Sequence, residues 1–327
     1  MQSNKKMDFA DEMSMYRDNF ISYNNIADKS INTINTYKNC LDSFVEFCYE
    51  NNDELSFKTL QQKDITNYFI YLDNLYKKKQ HNTTQNKKKS ISTSTKAHYI
   101  TILKIFFKYI TNNNHNFIDL EKILSTYKIT KKKQHKFENF MTREERDKIL
   151  LFLAQALNKN KNFKNMRNSL LIKLMLQSGL RISEALSLKF SDFSKSDDGE
   201  FYDITILAKG GEYQTAFIAS DLIDRELHFL FSSKIGDYIF TNGVNDTPIT
   251  RQNAYELLAR IYRKCGIVGK RGCHILRHSF AMNFVEKNTN LGIIQKALRH
   301  KKIQTTMIYA DPTSEMVKKE MKRIASV

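Results

Sequence analysis

The sequence predicts a mainly α-helical protein with a small antiparallel β-sheet, arranged as two domains. Three observations support this prediction. Most segments repeat apolar residues at about the 3.6-residue period of a helix, and only two neighbouring segments alternate as strands do. The third observation is that the 327 residues exceed the length that a single hydrophobic core usually supports.

The first domain is expected over residues 1–126, and its clearest pattern predicts a helix over Ser30–Tyr49. Apolar side chains recur there at helical spacing, at Ile31, Ile34, Tyr37, Leu41, Phe44, Val45 and Cys48. Two further helices are predicted over Ile65–Tyr76 and Ala97–Ile110, which are apolar and contain neither glycine nor proline. The polar stretch HNTTQNKKKSISTST at 81–95 predicts a loop between them.

A linker is predicted over residues 127–138, because the stretch KITKKKQHKFE combines a run of charges with little apolar content. The second domain is then expected over 139–327. Its first helix has a start signal, since Thr142 followed by Glu145 has the spacing of a capping box.

Within the second domain, Leu170–Leu176 is apolar almost all round, which is typical of a central buried helix. The segments Phe201–Leu207 and Tyr213–Ala219 alternate like strands on either side of a tip that contains Lys209, and they predict a β-hairpin. Helical patterns resume after the hairpin, and Gly266 ends the clearest of them.

The charge balance points to a polyanionic partner. Lysine and arginine number 52 against 35 acidic residues, a formal net charge of +17. A solvated basic surface is the alternative, and only motifs decide between the two.

No apolar run approaches the roughly 20 residues that span a bilayer, so we expect a cytoplasmic protein without membrane association. The four cysteines, Cys40, Cys48, Cys265 and Cys273, have the spacing of neither a disulfide scaffold nor a zinc site.

Two motifs place polar side chains together on helix faces. In SGLRISEALSL, Arg181 and Glu184 are three residues apart, so the carboxylate can hold the guanidinium in place. In HILRHSF, His274 and Arg277 have the same spacing, which projects two hydrogen-bond donors from one face. Both motifs are suited to a phosphate site.

Two other segments supply the remaining polar groups. In ALRHKKIQTTMIYADP, His300 precedes Tyr309 by nine residues, and Thr305 or Thr306 can cap the short helix that carries the tyrosine. Lys209 adds a flexible cation at the hairpin tip.

These motifs, in this order, resemble those of the tyrosine recombinase (phage integrase) family, and its Xer-like subgroup in particular. The resemblance covers the chain from about residue 139. It implies a two-domain, C-shaped DNA clamp, with a helical, SAM-like core-binding domain followed by the catalytic domain. Two positions depart from the family pattern, since Arg299 and Ala208 stand where glycine is usual.

The resemblance implies six catalytic residues: Tyr309, Arg181, Lys209, His274, Arg277 and His300. Tyr309 is the expected nucleophile, and two arginines with an imidazole suit the negative charge of a phosphodiester under attack. A free tyrosine has a pKa of about 10, so His274 is expected to assist its deprotonation and Lys209 to protonate the leaving 5′-oxygen. The product is a 3′-phosphotyrosyl linkage with a free 5′-hydroxyl. We expect no metal and no cofactor, and no GxxxxGK[ST] phosphate loop is present.

Other basic residues are candidates for DNA contact. The triplet Lys131, Lys132 and Lys133 is predicted to contact phosphates. Arg251 and Gln252 fall in the first turn of a helix and can read base edges, although ordinary first-turn polarity explains them nearly as well. His278 shares a helix face with His274 and Arg277 but lies outside the family's catalytic set, so we interpret it as a packing residue or one that supports a catalytic side chain.

The expected partner is double-stranded DNA with an inverted-repeat recombination site, bound by a homotetramer on two DNA sites. The chain's C-terminal tail would link the protomers. Chromosome dimer resolution and mobile-element integration or excision are both compatible with the motifs. The alternatives are a type IB topoisomerase or telomere resolvase activity, or a non-catalytic DNA-binding protein of the same fold.

Overall fold

The computed structural model describes residues 8–80, 90–115, 118–127, 129, 140–208, 211–270, 272–309, 318 and 321–322. The chain divides into two compact units, Met1–Gln134 and His135–Val327. Apart from Tyr127 and Ile129, the predicted linker lies outside the described residues. The proposed domain boundaries and the clamp arrangement therefore stay predictions.

The N-terminal unit is helical throughout its described elements. These are α1 (Phe9–Ile26), α2 (Ile31–Glu50), α3 (Gln62–Gln80), α4 (Thr93–Asn112) and α5 (Glu121–Ser125). The side chains of Asp8, Ser30 and Ser92 accept hydrogen bonds from backbone N–H groups in the first turns of α1, α2 and α4. Such caps satisfy donors that a helix leaves unpaired. The three helices predicted from periodicity are confirmed as α2, α3 and α4.

Aromatic side chains fill the core of this unit. Phe20, Phe44, Tyr68, Phe106 and Phe107 are almost completely inaccessible to solvent. The rings of Phe44 and Tyr68 meet edge to face with centroids 5.1 Å apart, a favourable geometry for an aromatic pair. This core comes from the helix faces that carry the 3.6-residue apolar repeat.

The C-terminal unit contains eight described helices and one sheet. The helices are α6 (Arg143–Lys159), α7 (Phe163–Gln177), α8 (Ile182–Leu186), α9 (Asp224–Ser232), α10 (Arg251–Lys264), α11 (His274–Glu286), α12 (Leu291–Ala297) and α13 (Ile303–Thr306). A short 3₁₀ turn, Met307–Tyr309, follows α13 directly. The predicted capping box is confirmed at the start of α6, where Thr142 and Glu145 exchange side-chain and backbone hydrogen bonds.

The sheet is antiparallel and has three strands, β1 (Phe193–Lys195), β2 (Phe201–Leu207) and β3 (Tyr213–Ala219), in that order. The predicted hairpin is confirmed, because β2 and β3 pair from Phe201 opposite Ala219 to Leu207 opposite Tyr213. Strand β1, which adds to the other edge of β2, was not predicted. The hairpin tip at Lys209 and Gly210 lies outside the described residues.

Helix α7 runs through the middle of the C-terminal core, and Leu170, Leu171 and Leu174 on it are buried as predicted. Helix α11 packs against it. The chain turns sharply after α7 at Gly179, whose φ of +63° lies in the left-handed region. A side chain at this glycine would collide with the ring of Phe280 on α11. This close approach brings the segment that carries Arg181 beside α11.

Candidate active site

Arg181 is held at the start of α8 by Glu184. The guanidinium Nη1 lies 2.5 Å from Glu184 Oε1, and the Arg181 backbone N–H donates to Glu184 Oε2 at 2.8 Å. The Arg181 side chain is 34% exposed, whereas that of Glu184 is 4% exposed. A buried carboxylate therefore orients a guanidinium that still faces solvent, as predicted from their spacing.

Glu184 also contacts two further arginines, and these three guanidiniums with their shared carboxylate form the arginine cluster. Oε2 of Glu184 lies 3.3 Å from Arg299 Nη2 and 3.8 Å from Arg277 Nη1. Burial alone would raise the pKa of Glu184, but hydrogen bonds from Arg181 and the charge of Arg299 hold it below its ordinary value. With one carboxylate against three guanidiniums, the arginine cluster carries two uncompensated positive charges at neutral pH.

Arg277 is buried on α11 and is held by backbone carbonyls. Its Nη1 donates to Gly179 O and its Nη2 to Leu298 O. Burial, and then the positive charges of Arg181 and Arg299, lower the pKa of Arg277, although a guanidinium remains charged at neutral pH. Two of its five N–H donors are occupied in this way, so the others are available to a ligand.

Arg299 forms a left-handed turn at the position where the resemblance leads us to expect glycine. Its φ of +55° lies in the left-handed region, which L side chains enter at some cost. The side chain folds inward and donates to the carbonyl oxygens of Ala297 at 3.0 Å, Gly179 at 3.2 Å and Ser178 at 3.4 Å. Arg299 therefore adds a buried contact to Glu184, which Arg181 and Arg277 also approach.

The charges of Arg277 and Arg181 act on both predicted histidines. His274 is the first residue of α11, and partial burial followed by the charges of Arg277 and Arg181 lowers its pKa. Nδ1 of His300 lies 2.9 Å from Thr306 Oγ1. Burial, and then the charges of Arg277 and Arg181, lower the pKa of His300 to about 4. Both imidazoles are consequently neutral at pH 7.

Tyr309 is 8% exposed and lies in the 3₁₀ turn that follows α13. Burial raises the pKa of its phenol to about 12, although the charge of Arg277 opposes this rise. The phenol oxygen lies 2.6 Å from Nδ1 of His278. Sequence reasoning placed His278 on the same helix face as His274 and interpreted it as a packing or supporting residue, but helical spacing did not show its contact with Tyr309.

The remaining predicted residues fall into two groups. Lys209 and the triplet 131–133 lie outside the described residues. Arg251 and Gln252 begin α10 and are exposed, and Gln252 Nε2 donates to Glu256 Oε1 at 2.9 Å. The charge of Arg251 contributes to the lowered pKa of His274, after burial and the charges of Arg277 and Arg181.

No grouping of metal-ligating side chains occurs among the residues that the structure describes. Within the same residues, no helix is long and apolar enough to cross a membrane. The four cysteines are all described and are unpaired.

The arrangement combines a concentrated positive charge with a protonated phenol beside a neutral imidazole. Guanidiniums bind phosphate oxygens through paired, charge-assisted hydrogen bonds. The phenol of Tyr309 is close enough to Arg277 for that charge to act on its pKa. Such a site is suited to attack by a tyrosine on a phosphodiester.

Comparison with known proteins agrees with this class. The phage integrase family matches residues 139–316, which is more than half of the chain. Tyrosine recombinase XerH of Campylobacter jejuni is 29% identical over 238 residues, 70% of this chain and 65% of the relative. Tyrosine recombinase XerC of Listeria monocytogenes is 26% identical over 297 residues, 88% of this chain and 90% of the relative.

A solved structure shows the same fold. The XerH site-specific recombinase bound to palindromic difH substrate, in a post-cleavage complex, superimposes with a TM-score of 0.68 at 26% identity. The alignment covers 89% of this chain and 80% of that one. The chain belongs to the phage integrase family of tyrosine recombinases, enzymes that cleave and rejoin DNA.

Proposed function

We propose that this recombinase cleaves DNA with Tyr309 as its nucleophile, at a phosphate held by Arg181, Arg277 and His300. The observation that carries the proposal is the arginine cluster with its two uncompensated positive charges, since the charge of Arg277, a member of this cluster, acts on the buried phenol of Tyr309. Positive charge that is already in place stabilises the charge that develops on the nonbridging oxygens without reorganisation.

The proposed step is a direct exchange of phosphoester bonds. The phenol oxygen of Tyr309 bonds to phosphorus while the bond from phosphorus to the 5′-oxygen breaks. Lys209 gives a proton to the departing 5′-oxygen, and the resemblance assigns assistance at the phenol to His274. The 3′-phosphotyrosyl linkage keeps the bond energy, so a 5′-hydroxyl can reverse the step. The proposal requires neither a metal nor a nucleotide cofactor.

The proposed substrate is double-stranded DNA with an inverted-repeat site. Support comes from the net charge of +17 and from the similarity to a recombinase whose structure contains its difH substrate. In this proposal residues 1–126 bind the core site and 139–327 perform catalysis. The Lys131–Lys133 triplet contacts phosphates, and Arg251 and Gln252 contact bases or nearby phosphates. A chromosomal or mobile-element substrate places the enzyme in the cytoplasm.

A tetramer on two DNA sites is the proposed assembly, linked by the C-terminal tail. An apolar groove of about 440 Å³ in the C-terminal unit supports this assignment; its lining includes Phe201, Phe217, Phe280, Phe284, Ile293 and Ala297. The tail carries the apolar residues Met316, Met321, Ile324 and Val327, and a segment this short needs a surface to dock against if it is to fold as a helix.

Deletion of residues 314–327 tests the assembly. Binding to a half-site should persist, while cooperative filling of the full site and strand exchange are lost. Ile293→Asp, which places a charge in the groove, should reproduce this result. Unchanged recombination by the truncated chain would contradict the proposed assembly.

Tyr309→Phe tests the nucleophile, because it removes only the phenol oxygen. The variant should bind DNA normally but form no denaturation-resistant protein–DNA adduct on gels. Tyr238→Phe is the matched control, since the Tyr238 ring contacts Lys189 rather than the arginine cluster. An adduct with the Tyr309 variant would overturn the assignment of the nucleophile. Relaxation of supercoiled DNA by the wild-type enzyme without recombinant products would indicate topoisomerase activity instead.

A further inference from the structure

The geometry assigns the role of proton acceptor from Tyr309 to His278: we propose that Nδ1 of this imidazole takes the phenolic proton as Tyr309 attacks DNA. This inference rests on the proposed function of Tyr309. It differs from the role that the resemblance gives to His274, the other histidine on the same helix.

The contact itself is direct. Nδ1 of His278 lies 2.6 Å from the phenol oxygen of Tyr309, within the distance over which a proton passes between heavy atoms. The two rings are tilted by 56° with centroids 5.8 Å apart, so they meet through their polar atoms rather than by stacking. His278 follows Arg277 directly, so one turn of α11 presents both a phosphate ligand and the partner of the nucleophile.

The protonation states agree with this direction of transfer. Burial, and then the nearby His274 and Arg277, lower the pKa of His278, so its imidazole is neutral at pH 7. Burial keeps Tyr309 protonated. In the proposed arrangement the neutral imidazole carries its hydrogen on Nε2, and the phenol O–H donates to the free Nδ1 of His278.

The transfer is unfavourable before attack, because the phenol is a much weaker acid than the imidazolium. It becomes favourable as the phenol oxygen bonds to phosphorus, since that bond withdraws electrons from the oxygen. The proton then moves from the oxygen to Nδ1, giving an imidazolium, while Lys209 protonates the 5′-oxygen. In religation the 5′-hydroxyl attacks and His278 returns its proton to the departing phenol.

The test separates a proton acceptor from a residue that only positions Tyr309. A cleavable substrate is first obtained by selecting random duplex DNA for covalent capture by the wild-type full-length enzyme. Failure to capture any DNA through Tyr309 would refute the proposed function itself. With a captured site in a nicked duplex, adduct formation is then measured under single-turnover conditions.

His278→Ala and His278→Asn should each slow adduct formation about 10²–10⁴-fold, the usual contribution of a general base, while DNA binding stays unchanged. Asparagine can still accept a hydrogen bond from the phenol but cannot take its proton. A wild-type rate for His278→Asn would therefore overturn the proposal. His228→Ala, at an exposed histidine on α9, is the matched control and should leave the rate unchanged.

A second measurement replaces Tyr309 by difluorotyrosine, whose more acidic phenol depends less on a base. With difluorotyrosine at position 309, the factor by which His278→Ala slows adduct formation should shrink by about tenfold or more. The factor by which His274→Ala slows adduct formation should not shrink. An equal effect of fluorination in both histidine backgrounds, or a selective rescue of His274→Ala, would refute the assignment to His278.

Discussion

Replacing Arg299 should separate the cost of its backbone conformation from the contribution of its side chain. The residue has φ +55°, and left-handed backbone costs an L residue about 1–2 kcal/mol. Glycine removes that cost but gives up about 0.4–1 kcal/mol through the greater freedom of the unfolded chain. The net difference predicts that Arg299→Gly is more stable than Arg299→Ala by about 0.5–1 kcal/mol.

Both variants lose the same side-chain contacts. The guanidinium donates to three backbone carbonyls and to Glu184, and the Arg299 and Glu184 side chains are each only 4% exposed. Removing one partner of a buried ion pair costs about 3–5 kcal/mol when the other is left alone. Here Arg181 still holds Glu184, and Arg277 still holds Gly179 O. We therefore expect a smaller loss of about 2–3 kcal/mol, the scale of an unsatisfied buried acceptor.

Native-state hydrogen exchange in α7 and α11 measures the local free energy of unfolding in the full-length chain. Gly266→Ala is the control for the backbone term alone, because Gly266 has φ +68° and open space around the position of a Cβ. Gly266→Ala should lower the free energy of unfolding by about 1 kcal/mol. If Arg299→Ala equals or exceeds Arg299→Gly in stability, the backbone argument is wrong. If both match the wild type, the side chain contributes nothing.

Three other predictions concern catalysis and pH. Cleavage should survive excess EDTA, because Arg181, Arg277 and Lys209 supply the positive charge; loss of cleavage that magnesium restores would contradict this. Lys209→Ala should be slow on ordinary DNA but recover on a substrate with sulfur at the bridging 5′ position, a leaving group that needs no proton, and absence of recovery would place the general acid elsewhere. His300 has a pKa of about 4 when folded against 6.5 ordinarily, so the unfolded chain takes up its proton first. The contribution of neutral His300 to the free energy of unfolding is therefore fully present above pH 6.5 and is lost as the pH falls from 6.5 to about 4. His300→Gln should flatten this part of a stability-against-pH curve, and an unchanged slope would argue against it.

Local signals in the sequence predicted the elements whose determinants are local. The alternation that predicted the hairpin matches β2 and β3, and the spacing of Thr142 and Glu145 matches the capping box of α6. Strand β1 was missed because three residues, Phe193–Lys195, are too few to show alternation. It forms only because β2 offers an unpaired edge.

The sequence supplied candidate residues for the site but not the contacts among them. The pairing of Arg181 with Glu184 depends on two positions within one helical turn, so spacing predicted it. His278 and Tyr309 are 31 residues apart, and Arg299 and Glu184 are 115 apart. Helical periodicity gives no information about such pairs, because the packing of α11 and the two following helices brings them together.

The manner in which the arginine cluster is held explains how it stays positively charged without DNA. Apart from Glu184, the groups that hold Arg277 and Arg299 are carbonyl oxygens of Ser178 and Gly179, after α7, and of Ala297 and Leu298, at the end of α12. Carbonyls at a helix C-terminus carry partial negative charge, which orients a guanidinium without cancelling its full charge. Additional carboxylates would have held the arginines as firmly but would have neutralised the charge that attracts a phosphate. Two helix ends and one carboxylate thus hold three guanidiniums while only one of their three positive charges is neutralised. The other two charges remain available to a phosphate.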